Sequence, residues 1–68
     1  MSIKNFQEYL HTFMHEKKEA RVYKAERGFG CRFFEDNVWV KDEVYTEHSE
    51  QYAEDAADNY VLGIKNVR

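Results

Sequence analysis

Residues 49–64 read SEQYAEDAADNYVLGI, and the fold that we predict depends on this stretch. Its apolar residues follow the three-and-four spacing of one helical stripe, namely Ala53, Ala56, Ala57, Tyr60, Val61 and Ile64. Because alanine side chains let a flat partner approach closely, we expect this helix to pack on a sheet. The opposite face is acidic and carries Glu50, Glu54, Asp55 and Asp58. One helix is thus expected to close the core and to form the most acidic surface.

The residues before this helix have the composition of antiparallel strands. We predict strands over residues 21–26, 29–35 and 38–45, with Arg27-Gly28 as one turn and Asp36-Asn37 as a two-residue hairpin turn. Such a hairpin turn fixes the register. The expected cross-strand pairs are Glu35–Val38, Phe34–Trp39, Phe33–Val40 and Arg32–Lys41. The alternative is a register shifted by one residue, which would exchange the two faces of the sheet.

The expected register assigns the side chains to two faces of the sheet. The inner face is expected to hold Phe29, Cys31, Phe33, Val38, Val40 and Val44. The outer face is expected to hold Phe34 and Trp39, flanked by Arg32, Lys41 and Glu43. An exposed aromatic pair of this kind usually marks a contact surface.

A second helical pattern precedes the strands. Ile3, Phe6, Leu10, Phe13 and Met14 predict a first helix with Ser2 as its N-cap, fraying at residues 18–20. The predicted fold class is therefore α+β in the order α-β-β-β-α, a three-stranded antiparallel sheet with both helices on one face. Residues 1–68 are expected to form one domain.

Element order and two short motifs resemble the double-stranded-RNA-binding domain. The two motifs are Phe6-Gln7-Glu8-Tyr9-Leu10 in the predicted first helix and Ala53-Glu54-Asp55-Ala56-Ala57 in the predicted last helix. The resemblance implies the α-β-β-β-α fold and, at the start of the last helix, lysines that bind phosphates. The matching residues here are Ser49-Glu50-Gln51-Tyr52-Ala53-Glu54, and the family's Gly-Pro-x-His loop is matched only by Gly28-Phe29-Gly30-Cys31. Of the family's contact positions only Glu8 carries over, so we expect the fold to be kept and the RNA function lost.

Composition limits the compartment in which the protein is expected to work. The single cysteine, Cys31, excludes an intrachain disulfide and favours a reducing compartment. The first ten residues alternate charged and apolar types, and no run approaches the ~18 apolar residues of a membrane span. The sequence therefore predicts a cytoplasmic protein without a membrane partner.

The net charge of −3 is unevenly distributed along the chain. Nine acids against one base lie between residues 35 and 58. We therefore predict a protein-interaction module that docks its acidic surface on a basic partner protein, as inhibitors encoded by mobile elements do by imitating phosphate charge. Phe34 and Trp39 would be the apolar anchor, either in the contact with this partner protein or in a homodimer. The acidic contact residues would be Asp42, Glu43, Glu47, Glu50, Glu54, Asp55 and Asp58.

The alternative is binding of double-stranded RNA or of single-stranded nucleic acid. A basic stretch would contact phosphates, while Phe34 and Trp39 would stack on bases. The residues concerned are Glu8, Lys17, Lys18, Arg21, Lys24, Arg27 and Arg32.

Catalytic and metal-binding signals are weak in this sequence. His11 and His15 would lie one helical turn apart near Glu8 and Glu19, a spacing more typical of a solvated face than of a metal site. Cys31 and His48 are the one candidate nucleophile and base. We therefore predict no catalytic residue, no metal ligand and no cofactor, and a protein that is not an enzyme.

Overall fold

The fold is a meander of four antiparallel strands followed by one helix, β-β-β-β-α. The structure is a computed structural model, and it describes residues 9–65. The strands lie side by side in chain order, so β1 and β4 form the two edges of the sheet. The elements are β1 (Tyr9–His15), β2 (Lys18–Ala25), β3 (Gly28–Glu35), β4 (Val38–Thr46) and α1 (Glu50–Val61).

The predicted α-β-β-β-α fold is wrong because residues 9–15 form an edge strand and not part of a helix. They pair antiparallel with β2, from Tyr9 opposite Tyr23 to His15 opposite Lys18. The apparent helical stripe was misleading, since Leu10 and Met14 are exposed and only Phe13 packs against the core. Of the rest of the predicted first helix, residues 16–17 form a turn and residues 18–20 belong to β2, whereas Ser2 and Glu8 lie outside the described residues.

Short turns connect the strands, and the bounds of the strands differ slightly from the predicted ranges. β2 begins at Lys18 and not at Arg21, and Gly28 opens β3 and is not part of a turn. The Asp36-Asn37 hairpin turn is confirmed, and both residues have positive φ, 55° and 65°. Positive φ at both central residues is what a two-residue turn of the type I′ class requires.

A β-bulge in β4 changes the register that the hairpin turn sets. The pairs Phe34–Trp39 and Glu35–Val38 are confirmed. Beyond the irregularity between Phe33 and Phe34, however, Phe33 lies opposite Lys41 and Arg32 opposite Asp42. The predicted pairs Phe33–Val40 and Arg32–Lys41 are therefore wrong, because a bulge places one extra residue on one strand.

The bulge also exchanges the two faces along the rest of β4. Lys41 and Glu43 fall on the helix side, opposite Phe33 and Cys31, and not on the outer face as predicted. Val44 falls on the outer face and is exposed, and Val38, beside the hairpin turn, is exposed as well. The prediction that Val38 and Val44 belong to the core is thus wrong, whereas Val40 does pack against it.

The core lies between α1 and the first three strands. Ala53 and Ala57 are fully buried against Val22, Cys31 and Phe33, which confirms the alanine face of the helix. This face is close-packed because alanine adds little side-chain volume between helix and sheet. The rest of the cluster is Ala20, Tyr60 and Val61, with Phe13, Phe29, Val40, Tyr45 and Ala56 packed on its edge.

The helix has Ser49 as its N-cap and ends earlier than predicted. The Ser49 hydroxyl accepts a hydrogen bond from the backbone N–H of Tyr52, which satisfies a donor of the first turn. Ile64, assigned from the sequence to the helical stripe, lies beyond Val61 and is exposed. Within residues 9–65, no helix has the length and apolar character needed to cross a membrane.

Candidate functional site

The candidate site is the sheet face opposite α1, which no helix of residues 9–65 covers. We call it the open face. Its side chains stand in three rows across the four strands, because paired residues point to the same side of a sheet. The first row is Met14, Glu19, Phe34 and Trp39, the second is Thr12, Arg21, Arg32 and Asp42, and the third is Tyr9, Tyr23, Gly30 and Val44.

Asp42 is the centre of a hydrogen-bond network on the open face. Its carboxylate accepts from Arg32 Nε at 3.1 and 3.2 Å, from Arg32 Nη2 at 3.1 Å and from Trp39 Nε1 at 2.7 Å. Arg32 Nη1 also donates to the hydroxyl of Tyr9 at 2.8 Å. Hydrogen bonds between charged partners are the stronger class. This network therefore fixes the orientation of the exposed Trp39 ring.

The same network shifts the ionisation of its members. The hydrogen bond with Asp42 raises the pKa of the Arg32 guanidinium above its ordinary value. Partial burial acts to raise the pKa of Asp42, but hydrogen bonds from Arg32 and Trp39 outweigh it and hold this pKa below its ordinary value. Asp42 and Arg32 thus remain a charged pair.

Arg21 is the second arginine of the open face. Its Nε donates to Glu19 at 2.6 Å, and this hydrogen bond raises the pKa of Arg21. Its guanidinium carbon lies 4.5 Å from the centroid of the Phe34 ring and 5.2 Å from that of Tyr9. Both distances are within the range of cation–π attraction. Arg21 therefore covers part of Phe34, which is half-buried.

A glycine makes room for a tyrosine on the third row. A Cβ at position 30 would lie 2.7 Å from Cζ of Tyr23, closer than carbon atoms can approach. The absence of a side chain at Gly30 thus lets the Tyr23 ring lie flat across β3. Burial, and then the charge of Asp42, raises the pKa of the Tyr23 hydroxyl.

Two apolar side chains at opposite edges of the first row project into solvent. Trp39 is 56% exposed and Met14 is 65% exposed, and Val44 on the third row is also exposed. Tryptophan, tyrosine and arginine are the residues most enriched among those that dominate binding energy at protein interfaces. The open face therefore has the composition of a contact surface, and its charged groups are already oriented.

The structure divides the predicted acidic contact residues between the two sides of the sheet. Asp42 lies on the open face with Phe34 and Trp39, and Glu43 lies on the helix side. Glu47 follows β4 with a positive φ of 63°. The remaining four acids lie on α1, where Glu50 and Glu54 face His11 of β1, whereas Asp55 and Asp58 are exposed. The acidic helix and the aromatic pair therefore do not form one surface.

Several of the helix-side acids already have partners within the chain. Glu43 accepts from the Tyr45 hydroxyl at 2.7 Å and lies 3.3 Å from Lys65 Nζ. Although partial burial opposes it, these contacts lower the pKa of Glu43. Glu50 and Glu54 both contact His11. Among these three acids, and within the described residues, only the charge of Glu43 is therefore partly neutralised by a cation.

The predicted basic stretch does not form a continuous surface. Arg21 and Arg32 lie on the open face, whereas Lys18 and Lys24 lie over the Tyr60 and Phe29 rings on the helix side. Lys17 and Arg27 lie in turns at opposite ends of the sheet. Glu8, the position carried over from the RNA-binding family, is outside the described residues.

Tyr9, Glu19 and Tyr23, which take part in the contacts of the open face, are among the residues of this face that the sequence did not identify. Tyr9 and Glu19 were assigned to the predicted first helix or its frayed end. The signal for Glu19 and Tyr23 is their period-two alternation, together with Arg21, with the buried Ala20 and Val22.

Cys31 and His48, the candidate nucleophile and base, are not paired with each other. The Cys31 thiol is fully buried and donates to the carbonyl oxygen of Ala53 at 3.1 Å. Burial raises its pKa to about 12, which disfavours the thiolate that nucleophilic chemistry needs. The His48 ring is exposed and stacks on Tyr52, with the ring centroids 3.9 Å apart.

Comparisons with protein-family models, with curated proteins and with solved structures found no match to this chain.

Proposed function

We propose that this chain is a non-catalytic protein-binding module whose contact surface is the open face. The observation that carries the proposal is the exposed Trp39 ring, held by a hydrogen bond to a carboxylate that Arg32 also binds. Anchors that are already oriented lose less conformational entropy on binding. An aromatic anchor beside satisfied charges therefore favours association with a complementary protein surface.

The chemistry of the open face favours a protein partner over nucleic acid. Phosphate binding would require Arg21 and Arg32 to exchange Glu19 and Asp42 for phosphate oxygens. Of the two rings predicted to stack on bases, Phe34 is covered by Arg21, which leaves Trp39 as the one exposed ring of that pair. The partner we propose presents an apolar surface with few unpaired charges, since an unpaired buried charge is costly.

The acidic side of α1 is less suited to be the main contact surface. Glu43 pairs with Lys65, which reduces the field that would steer a basic partner, and Glu50 and Glu54 are turned toward His11 of β1. We therefore propose the open face, and we retain the protein-interaction class of function predicted from the sequence.

We also propose that the protein works in the cytoplasm or another reducing compartment. The support for this is Cys31, the single cysteine of the sequence, whose thiol is free and buried in the core.

Capture from native lysate with immobilised protein tests the contact surface. Wild type is compared with Trp39→Ser and with Val38→Ser, which removes a 64% exposed apolar residue from the other side of the same strand. We expect a protein that wild type and Val38→Ser retain and that Trp39→Ser loses. Retention of the same proteins by all three would show that the open face is not the contact surface.

Tryptophan fluorescence separates a protein partner from nucleic acid or a second copy. Trp39 is the single tryptophan of the sequence and lies on the open face, so its emission reports ligands at this surface directly. We expect no change on adding single-stranded RNA or duplex RNA at low salt, and light scattering should give the monomer mass. Saturable quenching by either RNA would favour the nucleic-acid alternative, and a dimer mass lost in Trp39→Ser would favour a homodimer.

A further inference from the structure

His11 on β1 lies against two carboxylates of α1 on the side of the sheet opposite to the open face. Its Nε2 is 2.6 Å from Oε2 of Glu50 and 2.8 Å from Oε2 of Glu54. The three ligand atoms lie within 4.8 Å of one another. Two elements of the fold thus direct one nitrogen and two oxygens toward the same point.

The position of the two carboxylates follows from the helix cap. Ser49 sets the start of α1, so Glu50 is its first residue and Glu54 lies one turn later on the same side. β1 pairs with β2, and α1 packs on both strands, so His11 is held against this turn of the helix. The cluster therefore rests on the packed part of the fold and not on a loop.

Among the residues that the structure describes, no cation balances the two carboxylates of the cluster. Two carboxylates converge on a single imidazole nitrogen, which carries at most one proton and donates it in one direction. Within residues 9–65, no Lys or Arg side chain forms an ion pair with Glu50 or Glu54. A divalent cation between the three groups would neutralise both carboxylates.

We propose that His11, Glu50 and Glu54 form a binding site for a divalent transition-metal ion of the Zn²⁺ class. One imidazole nitrogen and two carboxylate oxygens are common ligands of Zn²⁺, with water in the remaining position. Mg²⁺ and Ca²⁺ prefer an all-oxygen set, so a nitrogen ligand selects against them. All three side chains are partly exposed, which gives the ion and its water access from solvent.

The existing geometry needs only a small adjustment to hold the ion. A tetrahedral Zn²⁺ with bonds of about 2.0–2.1 Å keeps its ligand atoms about 3.3 Å apart. The nitrogen–oxygen distances of 2.6 and 2.8 Å must therefore widen by roughly half an ångström, which rotation of exposed glutamate side chains permits.

Calorimetric titration of the untagged chain with ZnCl₂ at neutral pH tests the site. We expect one Zn²⁺ per chain, and a loss of affinity of at least about tenfold in His11→Ala and in Glu54→Gln. The matched controls are His15→Ala, another exposed histidine of β1, and Asp58→Asn, another exposed acid of α1. Both should bind Zn²⁺ as wild type does, and MgCl₂ should not compete.

Two further readouts keep the test independent of folding defects. Zn²⁺ should raise the melting temperature of wild type and leave that of His11→Ala unchanged, because a ligand stabilises only a fold that binds it. In NMR spectra, Zn²⁺ should shift the Nε2 resonance of His11 and leave that of His15 in place. Equal Zn²⁺ affinity of wild type and His11→Ala would overturn the proposal, as would an equal loss in His15→Ala.

Discussion

Asp42 shows how one side chain couples the charge of the open face to its shape. The same carboxylate binds Arg32, which reaches Tyr9, and the indole N–H of Trp39. No spacing rule in the sequence marks this residue as the centre of a network, because it meets Arg32 only through the bulge in β4. Replacing the carboxylate of Asp42 by an amide group should therefore weaken the whole network.

We expect Asp42→Asn to destabilise the fold by about 1–2 kcal/mol at neutral pH, because it replaces charge-assisted hydrogen bonds with weaker ones. The folded state lowers the pKa of Asp42, so its contribution is complete above the unfolded value of about 3.9 and is lost as pH falls through the folded value. The two proteins should therefore converge in stability as pH falls below the folded pKa of Asp42. Thermal unfolding across pH measures this, and Asp58→Asn, an exposed acid of α1, is the control. A stability difference between wild type and Asp42→Asn that stays constant with pH would contradict this assignment of the charge to Asp42.

Gly30 permits a second test at the residue scale. We expect Gly30→Ala to lower the free energy of unfolding by about 1–3 kcal/mol, because its methyl group overlaps the Tyr23 ring. The cost should largely disappear when Gly30→Ala is combined with Tyr23→Val, and a double-mutant cycle of urea unfolding measures this coupling. An equal cost in both backgrounds would mean that the strand itself requires glycine here.

At the scale of elements, the sequence correctly predicted α1 and the hairpin of β3 and β4, but it wrongly predicted a helix for residues 9–15. The Asp36-Asn37 turn, the Ser49 cap and the alanine face follow from local chemistry, so they could be predicted. Residues 9–15 form a strand because β2 offers an edge for pairing, and this tertiary interaction overrides local spacing.

The bulge explains why only part of the open face could be predicted. The turn fixes the Phe34–Trp39 pair, but nothing local signals that one residue of β4 is extra. The prediction therefore placed Val44 inside and Lys41 outside, although the structure has the reverse. A register error of one residue exchanges every later side chain between the faces.

The packing of α1 gives a test at the scale of elements. We expect Ala57→Leu to destabilise the fold by about 1–3 kcal/mol, since this fully buried methyl group faces the sheet and leaves no room for a larger side chain. Asp55→Leu adds the same side chain on the exposed side of α1 and should leave the melting temperature nearly unchanged. Equal melting temperatures for Ala57→Leu and wild type would contradict the helix–sheet packing.

At the scale of the whole molecule, one sheet separates two surfaces of different chemistry. The open face combines aromatic rings with paired arginines, and the helix side carries the acids and the His11 cluster. Charge sorting along the sequence suggested a basic region and an acidic region, but strand alternation distributes both signs over both sides. Only the topology shows which residues share a surface.

This separation predicts that the two surfaces act independently. His11 and Trp39 lie on opposite faces of the sheet, and their strands are its two edges, three inter-strand spacings or about 14 Å apart. Their effects on stability should add within about 0.3–0.5 kcal/mol in a double-mutant cycle of His11→Ala and Trp39→Ser, because they share no contact. Urea unfolding of the four proteins measures this. The same independence requires Trp39→Ser to keep the Zn²⁺ affinity of wild type and His11→Ala to keep the captured partner. A coupling above about 1 kcal/mol would show instead that the thin sheet transmits changes between its faces, so that occupation of one surface would alter the other.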